Sequence, residues 1–194
     1  VIKEWFADYF LRMSDVTLDL RNQTMEVHAT RAEPWRVTLL DTGDGSMTGG
    51  RLKRALEHIG HDDTVLMTYG DGVADVDITA LKAFHDAQGT LATVTAVQPP
   101  GRWGALDVDG HLVTHFQEKP KGDGTFFLLN PGVADYIEGD LTIWEQEPLR
   151  TLATDGQLSS YKHEGHWQVM DTLKDKIDLQ NAWDSGERPW VTWE

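Results

Sequence analysis

Ile78-Thr79-Ala80-Leu81-Lys82-Ala83-Phe84-His85-Asp86-Ala87, closed by Gly89 and followed by Leu91-Ala92-Thr93-Val94-Thr95-Ala96-Val97, is the stretch on which the fold turns. The first block reads as a helix over 78–87, ended by Gly89 because glycine takes a left-handed cap at little cost. Asp77, just ahead of Ile78, suits the N-cap. The second block is rich in β-branched residues and reads as a strand. The same alternation continues outward in both directions. Upstream, Val65-Leu66-Met67-Thr68-Tyr69 is a short apolar strand that stops at Gly70-Asp71-Gly72, and Thr48-Gly49-Gly50 leads into a helix over 51–59. Downstream, Asp109-Gly110 between 104–108 and 112–116 is a hairpin signal. Then come a strand over 125–129, a helical turn near 133–137, a helix over 145–154, a strand over 158–162, a short strand at 167–170 and a last helix over 174–183. Strand–helix alternation with apolar strands predicts an α/β domain with a mainly parallel or mixed sheet.

The N-terminal stretch reads differently. Ile2, Trp5, Phe6, Tyr9, Phe10 and Met13 recur at helical spacing, which predicts a helix ending near Ser14-Asp15. Residues 16–20 and 25–28 alternate around Arg21-Asn22-Gln23-Thr24, which predicts a hairpin. Residues 35–40 read as a further strand. No internal repeat or long linker is visible, so the chain is read as one domain over 1–194.

The 194 residues carry 17 Lys and Arg against 32 Asp and Glu, a formal net charge of −15. Such acidity opposes nonspecific binding to nucleic acid or to anionic membranes, while a small anionic substrate needs only a local cluster of donors. The chain has no cysteine. That excludes disulfides, zinc–thiolate sites and thiol nucleophiles, and it fits a cytoplasmic setting. No apolar run approaches the roughly 20 residues that span a bilayer. The start, Val1-Ile2-Lys3-Glu4-Trp5-Phe6, is not a signal peptide. With no initiator Met, it is expected to be a fragment or a processed chain.

In α/β sheets, ligands gather beyond the strand ends. This directs attention to the loops at 69–77, 99–104, 118–124 and 165–172. Asp71 follows a strand directly, between two glycines that permit a tight turn and close approach of a ligand. A carboxylate there suits Mg²⁺, a hard ion that prefers oxygen; Gly-Asp-Gly is also a common turn. Asp171, after a short apolar strand and before a helix, is the candidate partner, or else a helix cap. Asp75 reads as an exposed charge or a cap. Lys119 suits a phosphate as a point charge and Glu118 suits sugar hydroxyls, with a surface ion pair as the plain alternative. Arg51 follows two glycines and opens a helix, where N–H groups and the dipole favour an anion; an ordinary solvated Arg is equally consistent. The histidines show no metal spacing, and His163 with His166 flanks Gly165 without forming one. No nucleophile elbow and no P-loop is present.

Several stretches together resemble one family. They are Ala32-Glu33-Pro34-Trp35-Arg36, Met47-Thr48-Gly49-Gly50-Arg51-Leu52-Lys53-Arg54, Tyr69-Gly70-Asp71-Gly72-Val73, Val97-Gln98-Pro99-Pro100-Gly101-Arg102, Phe116-Gln117-Glu118-Lys119-Pro120, Thr142-Ile143-Trp144-Glu145-Gln146-Glu147-Pro148 and Met170-Asp171-Thr172-Leu173. End to end, the chain resembles the glucose-1-phosphate cytidylyltransferases, within the sugar-phosphate nucleotidyltransferases. The resemblance implies a Rossmann-like mixed, mainly parallel sheet and the formation of CDP-glucose and pyrophosphate from CTP and α-D-glucose 1-phosphate. It implies Mg²⁺ on Asp71 and Asp171, nucleotide near Ser46, Arg51 and Gly70, and sugar phosphate near Gly104, Glu118 and Lys119. It also implies catalytic roles for Asp71, Asp171 and Lys119, and a tendency to homo-oligomers. Two departures accompany it. The family's first strand and Gly-rich triphosphate loop have no counterpart before Val1, and a short Trp-Ile-Asn-Gly-Gly-like stretch is missing after Gly124. A truncated, non-catalytic relative that binds sugar phosphate or serves as an assembly partner is therefore a second reading. The same reaction with dTTP or UTP is a third.

Overall fold

β-Branched and small residues at 92–97 alternate between two buried faces, and the larger part of the molecule is layered around them. The computed structural model describes residues 1–60, 63–97, 105–117 and 126–193. Contacts divide the chain into two compact units, Val1–Asp41 and Thr42–Glu194, where the sequence is read as one domain.

In the first unit the expected N-terminal helix is split at Asp8 into α1 (Ile2–Ala7) and α2 (Tyr9–Arg12). The expected hairpin is present as β1 (Ser14–Asp19) paired antiparallel with β2 (Thr24–Thr30), with a bulge between Asp15 and Val16. The expected strand at 35–40 is not formed. Its aromatic residue is engaged by a side-chain contact: the Trp35 ring stacks on Tyr9, 6.4 Å between centroids. Trp5, Phe6 and Tyr9 complete this aromatic group. No residue of 1–41 is buried.

The second unit begins with α3 (Thr48–Ile59), which starts three residues before the expected position and takes in Gly49 and Gly50. Next come β3 (Val65–Met67), β4 (Gly72–Ala74), α4 (Ile78–Gln88), β5 (Ala92–Val97), β6 (Ala105–Asp109), β7 (Leu112–Gln117) and β8 (Phe127–Leu129). A 3₁₀ turn over Pro131–Tyr136 leads to α5 (Glu147–Thr154), β9 (Leu158–His163), β10 (Trp167–Val169) and α6 (Leu173–Ser185). Asp77 caps α4 by accepting from the Ala80 N–H, and Gly89 closes it at φ 65°, both as expected.

Six strands form one sheet in the order β3-β8-β5-β9-β7-β6. Only β5 and β9 pair in parallel among the described residues; the other neighbours are antiparallel. The sheet is thus mixed. Four strands, β3, β5, β9 and β6, share a direction, so the expectation of a mainly parallel sheet holds for strand direction and not for pairing. The reason is that β8 stands between β3 and β5, and β7 between β9 and β6, each running opposite to both of its neighbours.

Both faces of this sheet are covered. On one, Val94, Phe127, Leu129 and Leu158 pack with Leu52 and Leu56 of α3, Leu149 and Leu152 of α5, and Trp144. The Trp144 and Phe127 rings meet edge to face, 5.9 Å apart, an arrangement that adds to area burial. On the other, Leu128 meets Val76 and Leu81 of the α4 segment. Here Thr93 Oγ1 lies 2.7 Å from both His85 Nδ1 and Ser159 Oγ, so these three buried polar side chains pair with one another. No helix among the described residues is long and apolar enough to cross a membrane.

Candidate functional site

The sequence predicts β3 and leaves 69–77 as a loop. The structure places a further strand there. β4 pairs antiparallel with β10, aligning Trp167 with Ala74, Gln168 with Val73 and Val169 with Gly72. This ribbon lies outside the six-stranded sheet. Its register decides the geometry of the two candidate carboxylates. One step beyond the last pair, the Met170 N–H donates to the Asp71 carbonyl at 2.8 Å. Asp71 therefore stands opposite Met170, and Asp171 one residue beyond it, at the same end of the ribbon.

Asp71 follows Tyr69-Gly70 and enters β4; it is half-buried, and its Oδ1 is enclosed without a hydrogen-bond partner. Asp171 is exposed and lies between β10 and the cap of α6. That cap is Thr172, not Asp171. Its hydroxyl accepts from the Asp175 N–H, and the Asp175 carboxylate accepts from the Thr172 N–H, a reciprocal box that fixes the first turn. The Thr172 hydroxyl also holds the Asp175 carboxyl below the usual range. Gly70 has nothing within 4 Å of where a Cβ would lie, so the turn beside Asp71 is open.

An enclosed carboxylate oxygen without a partner costs free energy unless a cation or donor meets it. The donor set here is all oxygen, which fits a hard divalent ion such as Mg²⁺. Among the described residues no cluster of three or more His, Asp or Glu could hold a metal ion alone. An ion at Asp71 and Asp171 would then draw its remaining oxygens from phosphates and water, which is how Mg²⁺ usually binds.

Ser46 and Arg51 form a second group. Ser46 is buried. Arg51 reaches back over 42–46: Nε donates to the Ser46 carbonyl at 2.9 Å, and the terminal nitrogens to Thr42 Oγ1 at 3.1 Å and the Asp44 carbonyl at 3.4 Å. The expected anion cradle at the start of this helix needs correction. Because α3 begins at Thr48, Arg51 sits within its first turn, and the N–H groups of Met47 and Gly49 are taken by the carbonyls of Asp140 and Thr142. Gly104, Glu118 and Lys119 lie outside the described residues.

Sequence reasoning missed a third group. Asp75, read as a surface charge or cap, is half-buried, with Oδ1 2.9 Å from Nε2 of His163. A signal for it existed in His163-Glu164-Gly165, a turn just ahead of an apolar strand, but nothing in the sequence pairs it with Asp75. Trp190 is buried, with its ring 5.5 Å from that of His166.

Comparison with known proteins follows from this geometry. A family model described as nucleotidyl transferase matches residues 14–184. The chain is 59% identical to the glucose-1-phosphate cytidylyltransferase of Salmonella typhi, over 100% of this chain and 77% of that protein. It is 39% identical to the probable glucose-1-phosphate cytidylyltransferase of Bacillus subtilis, over 99% of this chain and 77% of the relative. Among solved structures, HddC from Yersinia pseudotuberculosis superposes with a TM-score of 0.57 at 18% identity, over 72% of this chain and 64% of that one. A putative glucose-1-phosphate thymidylyltransferase from Bacillus anthracis gives 0.54 at 20% identity, over 72% and 61%. At such identities these structures speak for the fold alone.

Proposed function

The chain belongs to the nucleotidyl transferase family, and on that premise we propose that it joins CTP to α-D-glucose 1-phosphate, releasing pyrophosphate and CDP-glucose. The observation that carries the reading is the pairing of β4 with β10, which brings Asp71 and Asp171 to the same end of one ribbon, with a buried Asp71 carboxylate oxygen that has no hydrogen-bond partner and an open turn at Gly70. The 59% identity to a named cytidylyltransferase supports the choice of base and sugar.

In the reaction, a phosphate oxygen of the sugar attacks the α-phosphorus of CTP in line. The bond from that phosphorus to the bridging oxygen breaks, and pyrophosphate carries the electron pair away. Positioning and electrostatics supply most of the acceleration, and little proton transfer is needed. Asp71 and Asp171 are the residues that would hold Mg²⁺. When bound, the ion offsets the charge of two polyanions and stabilises charge developing on the bridging oxygen. Arg51 orients the loop over 42–46 and with it Ser46, for the nucleotide. Gly70 leaves room for backbone to approach the phosphates. Gly104, Glu118 and Lys119 take the sugar phosphate, with Lys119 meeting the reacting phosphate as a fixed positive charge.

The test is pyrophosphate release with glucose 1-phosphate across CTP, dTTP, UTP and ATP, with and without Mg²⁺. Turnover is expected with CTP and Mg²⁺, falling about a hundredfold or more in Asp71→Asn, as for loss of one electrostatic group at a reacting centre. Equal rates for wild type and Asp71→Asn would refute the metal role, and a preference for dTTP would refute the base. A relative that binds sugar phosphate without turnover is the second reading. Calorimetric binding of glucose 1-phosphate without turnover of any nucleotide would select it.

A further inference from the structure

β4 and β10 make a ribbon of three residue pairs with no strand of the main sheet beside it. An isolated two-stranded ribbon is marginal in water. Slipping its register by one residue turns every side chain to the opposite face. The ribbon nevertheless has to keep Asp71 and Asp171 at one end in a fixed offset. One end is tied by the Met170-to-Asp71 hydrogen bond, and what ties the other end decides whether the register holds.

At that far end three residues converge. The Asp75 N–H donates to the His166 carbonyl at 3.1 Å. His163 Nε2 lies 3.2 Å from the same carbonyl and 2.9 Å from Asp75 Oδ1. Both neighbours are acceptors, so Nε2 carries the hydrogen, and it points at the carbonyl. Asp75 Oδ1 is left buried beside the ring without a hydrogen bond, its remaining attraction being to the imidazole itself. Gly165 lies against both: a Cβ there would fall 2.7 Å from His163 Cε1 and still closer to Asp75 Oδ1. The side chains of His163 and Asp75 are only 10% and 30% exposed.

We infer that Asp75, His163 and Gly165 are positioning residues for the cation site, clamping the open end of the β4–β10 ribbon in the register that sets Asp71 opposite Met170 and so brings Asp171 to the same end. This rests on the reading of those two acids as a cation site. The clamp acts through three residues of strand, roughly 10 Å, without belonging to the site it aligns.

The test is Mn²⁺ titration of the chain, followed by the electron spin resonance of the free ion, with thermal unfolding measured in parallel. Asp75→Ala, His163→Ala and Gly165→Ala are each expected to raise the Mn²⁺ Kd about tenfold, as removal of supporting contacts does at metal sites. Asp75→Asn, which keeps the shape of the carboxylate and an oxygen beside the imidazole, is expected to stay within about threefold of wild type. Val133→Ala, in the core, is expected to lower the Tm with Kd unchanged. If the three clamp variants bind Mn²⁺ like wild type while Asp71→Asn does not, the positioning role is overturned and the cation site stands. If Val133→Ala weakens binding as much as the clamp variants do, the effect is general destabilisation and the role is again overturned. If wild type itself binds no Mn²⁺, both readings fall.

Discussion

Arg51 engages three partners, all in the loop over 42–46, and its planar fork is what lets one side chain reach a carbonyl, a hydroxyl and a second carbonyl together. A lysine has no such fork. Arg51→Lys is therefore expected to loosen the loop more than the helix. It should cost about 1 kcal/mol of stability by urea unfolding, and it should raise KM for the nucleotide while kcat changes little. A fall in kcat at constant KM would instead place Arg51 at the reacting atoms. At this scale the sequence was partly legible. Asp71 and Asp171 stood out because each is an acid at the end of an apolar run. Asp75 and His163 did not, because their meeting depends on a strand register that neither residue announces. Arg51 was visible as a candidate, but its hydrogen bonds to its own preceding loop were not, since they follow from where α3 begins.

Helix α3 begins where it does because two glycines let it press against backbone. A Cβ on Gly50 would lie 2.5 Å from the Asp140 carbonyl oxygen, and one on Gly49 would lie 2.7 Å from that of Thr142. These same carbonyls take the N–H groups of Met47 and Gly49, and Thr48 Oγ1 reaches Glu145 at 2.7 Å, so the helix start and the 139–145 loop form one joint. Gly50→Ala gains about 1 kcal/mol of helix propensity. Against that stands a clash with fixed backbone, typically about 1–3 kcal/mol and here at its upper end. The expected result is net destabilisation by chemical denaturation, with a change of opposite sign if the loop yields. The sequence placed the helix at 51 because glycine reads as a breaker, and only the facing backbone reveals why glycine is needed inside. β4 was missed for a related reason. Gly72-Val73-Ala74 is too short and too small to signal a strand, and it becomes one through its partner β10. The strand expected at 35–40 failed in the opposite way, with suitable residues that pair with neither outer edge of the β1–β2 hairpin. Elements with their own punctuation, such as α4 between Asp77 and Gly89 and the hairpin around Asp109-Gly110, were read directly.

The two units differ in what could hold each together. All of the buried apolar residues, from Leu52 to Trp190, belong to 42–194. Their sheet is covered on both faces, and the candidate site, its ribbon and the helix that follows are assembled there. Residues 1–41 bury none of their side chains, and Ile2, Leu18, Leu20 and Trp35 are each more than half exposed. A hairpin and two short helices of this size fall below the length at which a core usually suffices without disulfides or metal, and the chain has no cysteine. The physical expectation is an asymmetric one. A fragment of 42–194 should unfold cooperatively by circular dichroism, with near-ultraviolet signal from the packed Trp144. A peptide of 1–41 should show no cooperative transition and little fixed aromatic signal. Cooperative melting of the short peptide would mean that its aromatic group around Trp5, Tyr9 and Trp35 stores more stability than its exposure allows. Failure of the longer fragment to fold would mean that 1–41 supplies contacts on which the sheet depends.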